Sequence, residues 1–539
     1  MDRTALKSLL GELPLTAEVY WYLRQPGKPL TENFSLSRLE KHLVRWLPQV
    51  ELYRNAQMSG MDERRILLFG TLRYWIEHTT LVGMALAALG HRVSLAYLPY
   101  AHWRTPINRF DLRRQDAYTR SVLNRAASAL QVIPLLQVKN RAALPEDLAR
   151  TIEENAWRDT QYTLQVEEVD PDSELYRLRL DRDRQAAASA LSLLKVQQPE
   201  VVLIPNGSIL EFSAFYQAAR SLKIPVVTYE FGEQRQRIWL ARDADVMRQE
   251  TDALWKARGS SSLTPDQSRQ VRDLFAARQH GNLWANFSRR WQGVAGEGGE
   301  KARLALNLDS PSNVQPRPVV LLATNVIGDS LTLGRQVFSD SMTEWLERTL
   351  RYFASRSDVQ FVVRIHPGEL ITKGPSVADL VRRVLPERPA HIHLVEAGDK
   401  VNTYDIVEIA DLGLVYTTTV GMEMAMSGVP VVVVGRTHYR GKGFTLDPDT
   451  WEAYFALLDD VLSAPERYRM APAQVDCAWN YAYRFFFEYP QPFPWHLLRL
   501  WDDVKEWPLE RVLSPEGLTR FANTFRYLAG EPVDWSKGL

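Results

Sequence analysis

The chain has 539 residues, more than one hydrophobic core can serve, so two large domains are expected. Lys+Arg and Asp+Glu both number 65, which leaves no global basic field and argues against a dedicated nucleic-acid binder. One cysteine, Cys477, excludes an internal disulfide framework and a cysteine-rich metal site, and suits a reducing compartment.

"MDRTALKSLLGELPLTAEVYW" lacks the apolar core and the small-residue cleavage pattern of a secretion signal. No window approaches the roughly 18 apolar residues of a membrane span. The expected location is cytoplasmic, with peripheral contact on the inner face of the plasma membrane as a further option. Residues 1–62 read as a helical, amphipathic N-terminal extension.

An α/β pattern follows. "RRILLFG" (64–70) reads as a strand, 76–90 as a helix stopped by Gly90, and "HRVSLAYL" (91–98) as a strand. "QVIPLLQV" (131–138), "EVVLIP" (200–205) and "IPVVTYE" (224–230) read as further strands, with a helix over 209–223. Thr264-Pro265-Asp266-Gln267 opens a helix with a cap residue and a first-turn proline. "GVAGEGGEKARLALNLDSPSNVQPRP", rich in Gly, Ser, Asn and Pro, marks a linker over 293–317. The first Rossmann-like domain is thus expected over 63–292.

The pattern is clearest over 318–463. Strands are expected at 318–324, 359–365, 391–395, 411–416 and 429–435, and helices at 341–356, 376–385, 404–410, 420–428 and 448–463. Trp345, Leu346, Thr349, Leu350 and Phe353 share one helix face, and Ser341 with Glu344 fits a capping box. The strands are continuously apolar, as in a parallel sheet covered on both faces. The expected fold class is α/β, two facing Rossmann-like domains with a helical N-terminal extension and a C-terminal helical tail at 464–539. The aromatic run "WNYAYRFFFEYPQPFPWHLLRLW" (479–501) either packs back across the domains or, with Arg484 and Arg499, forms an interfacial patch for a membrane.

Ligands of open parallel sheets bind at the carboxyl ends of the strands. In the second domain those ends carry "TNVIGDS", "HPGE", "AGDK", "TTTVGME" and "GRTHYRGKGF", all polar or glycine-rich. Thr417, Thr418 and Thr419 precede a helix that starts near Val420 and Gly421, whose free N–H groups suit phosphate. Glu423, one turn in, can accept hydrogen bonds from a ribose diol. On the residues alone, the threonines can equally cap the helix while Glu423 steadies its first turn. Strand alternation sets Arg364 and His366 on one side, which suits phosphate or a departing phosphate oxygen. Pro367 and Gly368 tighten the bend, and Glu369 binds either a sugar hydroxyl or only water. Lys442, beside Gly443, is either a third cation on a flexible loop or part of a solvated turn.

"VVRIHPGE", "TTTVGMEMAMSGVPVVVVG" and "HYRGKGFT" together resemble the nucleotide-binding half of bacterial capsule polysaccharide biosynthesis glycosyltransferases of the GT-B arrangement. The His-Pro pair followed by a Ser/Thr cluster is similar to motifs of bacterial sialyl- and Kdo-transferases. The resemblance implies that His366, Thr417, Thr418 and Thr419 contact the donor phosphate and that Glu423 holds the donor ribose. It implies a nucleotide-sugar cosubstrate, a CMP-sugar being one option, and no resident cofactor. The acceptor would be a saccharide or lipid-linked glycan. No Asp-x-Asp motif stands out, so metal-independent catalysis is expected.

The first domain would hold the acceptor, with Gly70, Thr71 and Arg73 facing the cleft and Asn206 and Gly207 at a second strand-to-helix bend. Glu230, at a strand end, is a candidate general base or a sugar-hydroxyl ligand. In some relatives a histidine in the first turn acts as base. His78 lies about a turn too late for that, and the plainer reading is an ordinary helix residue. Two alternatives share the architecture or the pocket: a CDP-polyol phosphotransferase of the teichoic-acid polymerase type, and a non-catalytic nucleotide-sugar or polysaccharide-binding scaffold.

Overall fold

The computed structural model describes residues 3–57, 63–139, 143–279, 296–309 and 317–537. The chain forms two compact units. The first comprises Met1–Thr160, Asp170–Met247 and Gln491–Val533; the second comprises Gln161–Val169, Arg248–Pro490 and Asp534–Leu539.

The first unit holds β1 (Arg65–Thr71), β2 (Arg92–Leu98), β3 (Leu130–Pro134), β4 (Val201–Pro205), β5 (Val226–Glu230), β6 (Arg237–Arg242) and β12 (Gln491–Pro492). They pair in the order β12-β6-β5-β4-β1-β2-β3. The five strands from β5 to β3 are parallel; β6 and β12 are antiparallel additions. Strand order reverses at β1, the switch point at which Rossmann-like sheets open a crevice. Phe69 stacks on Phe215 at 4.6 Å in the core.

The second unit holds β7 (Val319–Ala323), β8 (Gln360–Arg364), β9 (Ile392–Val395), β10 (Leu412–Val415) and β11 (Val431–Val433), ordered β11-β10-β7-β8-β9 and all parallel. Every residue of β7, β8, β10 and β11 is buried, which explains the apolar runs of β7, β10 and β11 and the Phe361–Val363 centre of β8. The register sets Val395, Arg364, Ala323, Val415 and Val433 in one row. All five following loops therefore leave from one edge. The helix Met342–Ala354 buries Trp345, Leu346, Thr349, Leu350 and Phe353. Ser341 Oγ accepts the Glu344 N–H at 3.0 Å, while the Glu344 carboxylate accepts from Asp340 rather than from Ser341. At Thr264 the reciprocal box is complete, with Gln267 N–H on Thr264 Oγ1 and Thr264 N–H on Gln267 Oε1.

The segment read as a linker behaves differently where it is described. Gly299–Ala305 is a helix. Its approach is fixed by two carboxylates, Asp405 accepting from Glu297 N–H and Glu408 from Gly299 N–H, both at 2.8 Å. The first unit gives way to the second at Met247, not within 293–317. The tail splits at Pro490: residues before it belong to the second unit, and Gln491–Val533 belong to the first. Tyr481, Phe485, Phe486, Tyr489, Phe493 and Trp495 are all buried. Arg484, 1% exposed, is ion-paired with Glu488. Among the described residues, no helix is long and apolar enough to cross a membrane.

Trp345 is fully buried and donates its indole N–H to Tyr454 at 3.1 Å. Trp345→Ala should cost about 3–5 kcal/mol, read as a lowered denaturant midpoint for unfolding of the second unit.

Candidate functional site

At the row of strand ends in the second unit, Thr324, Arg364, His366, Pro367 and Thr418 line one pocket with Arg278, Asp399, Asn402 and Tyr404. His366 is held from both sides. Its N–H donates to Thr324 Oγ1 at 2.9 Å, and its Nδ1 accepts the Gly368 N–H at 3.0 Å. His366 thereby caps the 3-10 turn Pro367–Ile371, with Pro367 at the first position, where an N–H would have no use. A Cβ on residue 368 would stand 2.8 Å from Nδ1, so only glycine lets the ring close on its own turn. With Nδ1 accepting, hydrogen-bond bookkeeping places the neutral ring's proton on Nε2. His366 thereby presents Nε2 as its N–H donor.

Arg364 supplies the positive charge. Its Nη1 donates to Glu396 O at 2.5 Å and its Nε to Thr403 Oγ1 at 3.1 Å. Burial lowers its pKa to about 10, with the Asp399 carboxylate opposing, so it remains protonated at neutral pH.

The threonine cluster lies at the end of β10. The Thr417 N–H donates to Asn325 Oδ1 at 3.2 Å, and the Thr417 hydroxyl is buried without a partner. Thr419 precedes the helix Val420–Met426 but makes no side-chain cap bond. The hydroxyls are therefore not spent on capping. Gly421 lets this helix pack closely, since a Cβ there would meet Tyr439 Oη at 2.5 Å and Val415 at 2.7 Å.

Three expected pocket residues are engaged elsewhere. Glu423 does not line the pocket. Its carboxylate accepts from Arg278 Nε at 2.9 Å, with side chains 3% and 4% exposed, so a ribose role gives way to a buried ion pair. Lys442 is buried and ion-paired with Asp252. Its flanking Gly441 and Gly443 take φ of 73° and 94°, a turn that few other residues would adopt. Glu369 accepts from Ser376 Oγ at 2.8 Å and Val377 N–H at 3.1 Å, holding the start of the helix Val377–Val384; burial raises its pKa. Arg278 was not foreseen: it ends the helix Pro265–Gln279, far in sequence from any strand-end motif.

In the first unit, Gly70 and Thr71 end β1, and a Cβ on Gly70 would meet Thr79 Oγ1 at 2.6 Å. The Thr71 hydroxyl is buried without a partner. Arg73 opens the helix Arg73–Ala88 and lines a groove of about 890 Å³ with Glu230. Asn206 and Gly207, with φ of 57° and 91°, turn the chain after β4. The turn aims Asn206 Nδ2 at Glu230 Oε2, 2.7 Å away, while Phe231 N–H bonds Glu230 Oε1 at 2.9 Å. Burial raises the Glu230 pKa. Both oxygens are occupied, which fits an anchoring carboxylate better than the expected base.

His78 is a core residue. Its Nδ1 lies 3.1 Å from Tyr229 Oη and its Nε2 3.3 Å from Trp495 O, amid Trp75, Tyr229, Phe231 and Phe493. Burial lowers its pKa to about 3, so it is no acceptor-side base. Its neighbour Glu77 lines the groove instead. The only sequence signal for Glu77 was a carboxylate inside an apolar helix. Among the described residues, no group of three or more His, Cys, Asp or Glu is placed to hold a metal ion.

No family model matches the chain, and no curated protein is similar to it. Among solved structures it is similar to two KpsC transferases of Thermosulfurimonas dismutans. The beta Kdo 2,4 transferase shares 16% identity over 55% of this chain and 82% of that one, with a TM-score of 0.32. The beta Kdo 2,7 transferase shares 13% over 60% and 88%, also at 0.32. A UDP-GlcNAc 2-epimerase from Neisseria meningitidis, bound to UDP-GlcNAc, shares 12% over 79% and 99%, at 0.26. These TM-scores are too low for the function of any of them to pass to this chain.

Two outcomes are expected. Gly368→Ala should displace the imidazole and cost about 1 kcal/mol through the lost N–H bond, with nitrogen NMR showing the His366 proton no longer confined to Nε2. His78 contributes stability above about pH 6.5 that is lost as pH falls towards about 3. His78→Gln should therefore flatten the stability–pH slope between about pH 6.5 and 4.5 by up to about 1.4 kcal/mol per pH unit, measured by denaturation across that range.

Proposed function

We propose that the protein is a glycosyltransferase that moves a sugar from a nucleotide-sugar donor to a saccharide or glycolipid acceptor, in assembly of a capsule-type surface polysaccharide. The second unit takes the donor and the first the acceptor. One observation carries the reading. At the switch point of an all-parallel sheet, an imidazole built as an N–H donor, a buried guanidinium and the Thr418 segment line one pocket. Hydrogen-bond donors and fixed positive charge are what a phosphate ester needs.

The chemistry follows from that lining. When the bond between the anomeric carbon and the phosphate oxygen breaks, negative charge grows on the phosphate. Arg364 opposes that charge without moving. His366 strengthens its hydrogen bond from Nε2 while Nδ1 stays tied to the Gly368 N–H. Groups fixed before the reaction cost no reorganisation as the charge develops. Glu423, tied to Arg278, takes no part in ribose binding on this reading, and Lys442 none in phosphate binding.

Thermal shift with CMP, UDP, GDP and CDP should single out one nucleotide, and the matching nucleotide-sugar should be turned over. His366→Ala should reduce the thermal shift and lower kcat about 10²–10³-fold. Full activity in His366→Ala would remove the central assignment. A wild type that binds the nucleotide and never releases it from a sugar would be a scaffold.

A further inference from the structure

The outward faces of surface helices are polar as a rule. The N-terminal helices of the first unit break that rule. Eight of the eighteen large apolar side chains that stand exposed among the described residues fall between Leu6 and Leu23. Leu6 and Leu9 share one face of the helix Arg3–Glu12, and Leu13 follows it. On the helix Thr16–Arg24, Ala17 and Trp21 are buried, whereas Val19 and Leu23, four apart, face out with Tyr22. Leu15, just before that helix, takes φ of 60° and is 67% exposed. Neither core packing nor the backbone asks for leucine at such a position.

This hairpin is held firmly, so its exposure is not looseness. Gly11 lies so close to the helix Arg109–Leu123 that a Cβ would stand 2.9 Å from Phe110 N. The Tyr20 ring meets Phe110 edge-on at 5.6 Å, and the Trp21 indole N–H donates to Lys28 O at 2.8 Å. Arg113 clamps the turn: its Nη1 donates to Gly11 O at 3.0 Å and to Leu13 O at 2.7 Å, and its Nε to Glu18 at 3.0 Å. The charges left over are of one sign. Glu12 and Glu18, the only carboxylates between Ala5 and Lys28, are paired with Arg109 and Arg113, and Lys7 is paired with Asp111. Arg24 and Lys28 are exposed and, among the described residues, form no ion pair. Over 5–28 and 109–123 the chain carries seven basic and four acidic side chains.

We propose that this hairpin seats the first unit on the surface of an anionic lipid bilayer. Leu15, Val19, Tyr22 and Leu23 enter the boundary between headgroups and acyl chains, and Arg24 and Lys28 meet lipid phosphates. The apolar side chains project, Leu23 being 75% exposed, rather than line a groove. Projecting side chains suit a fluid layer better than the ridge of a protein partner. A second copy of the chain is the poorer occupant. A two-fold contact sets the patch against itself, which brings further Arg24 and Lys28 side chains into it with no free carboxylate to answer them. The aromatic run 479–501 does not compete for this role, since Tyr481, Phe485, Tyr489, Phe493 and Trp495 are in the core. Helices this short lie along a bilayer rather than across it. The docking does not depend on which reaction the protein catalyses.

The test is flotation of the full chain with vesicles of phosphatidylcholine alone and of phosphatidylcholine with about 30 mol% phosphatidylglycerol. Wild type should float with the anionic vesicles, at least about tenfold more tightly than with the neutral ones, and added salt should weaken that binding. Arg24→Gln with Lys28→Gln should lower the affinity for anionic vesicles about 10–30-fold. Leu15→Asn with Leu23→Ser should lower it about 10²-fold. Asparagine tolerates the left-handed backbone of residue 15. Both double variants should melt within about 2 °C of wild type, because none of the four side chains is in the core. A wild type that floats with neither vesicle overturns the proposal. So does equal binding to neutral and anionic vesicles, or wild-type flotation of the Leu15 and Leu23 variant. A wild type that ignores vesicles and sediments as a dimer, dissociated by the Leu15 and Leu23 changes, would give the patch to a second copy instead.

Discussion

Parallel pairing is the constraint on which the rest of the second unit depends. Parallel strands need a crossover between each pair, so every strand of this sheet enters at the same end and stops at the other. The register puts Val395, Arg364, Ala323, Val415 and Val433 level. Whatever residues follow those positions must share an edge, however far apart they lie in the chain. A phosphate-sized pocket needs several donors within a few ångströms, and the level row supplies them without a loop of unusual shape. The local chemistry then refines the edge: Thr324 holds the His366 backbone, and Gly368 holds its ring.

The buried charges around this edge do a different job. Arg278 with Glu423, Lys442 with Asp252 and Arg484 with Glu488 each place at least one charged group deep in the second unit. Desolvation makes the two fully buried pairs, Arg278 with Glu423 and Arg484 with Glu488, poor sources of net stability, yet removing one partner there leaves an uncompensated charge that costs about 3–5 kcal/mol. They act as locators. Arg278 and Glu423 tie the helix Pro265–Gln279 to the helix that follows the threonines. The groove of the first unit contrasts with this arrangement. Glu77 faces an indole N–H rather than an arginine, and burial raises its pKa to about 7.

The legibility of these features follows the range of the interactions. Most strands of the second unit could be read because burial on both faces favours runs of apolar residues, as in β7, β10 and β11 and the centre of β8, while β9 is a half-buried strand that carries His393. β6 was not read: Arg237–Arg242 is only half-buried, and its place is set by antiparallel pairing with β5. β12 is two residues long and has no pattern to read. In the site, Arg364, His366, Pro367 and Thr418 were legible because strand alternation and strand ends are local. Glu423 and Lys442 were misjudged because their partners are not, whereas Glu369 is engaged by Ser376 and Val377, close by in the chain. Arg278 lies 145 residues from Glu423, and Asp252 lies 190 from Lys442. Spacing cannot announce that a charge already has a partner. His78 and Glu77 illustrate the same limit side by side: adjacent ionisable residues in one apolar helix, one sealed among aromatic rings and one at a groove.

The route of the chain has a consequence for biosynthesis. The first unit's sheet includes β12, and the segment Gln491–Val533 belongs to that unit although the preceding residues Arg248–Pro490 belong to the other. During translation, then, the first unit waits. The ribosome must deliver the whole of Arg248–Pro490 before the missing strand and its helices emerge, and the unfinished sheet meanwhile exposes an unpaired edge at β6. The usual order, in which an N-terminal domain closes before its successor is made, is not open to this chain. Cutting it into two independently folding fragments at a single point would leave the first unit without its last strand.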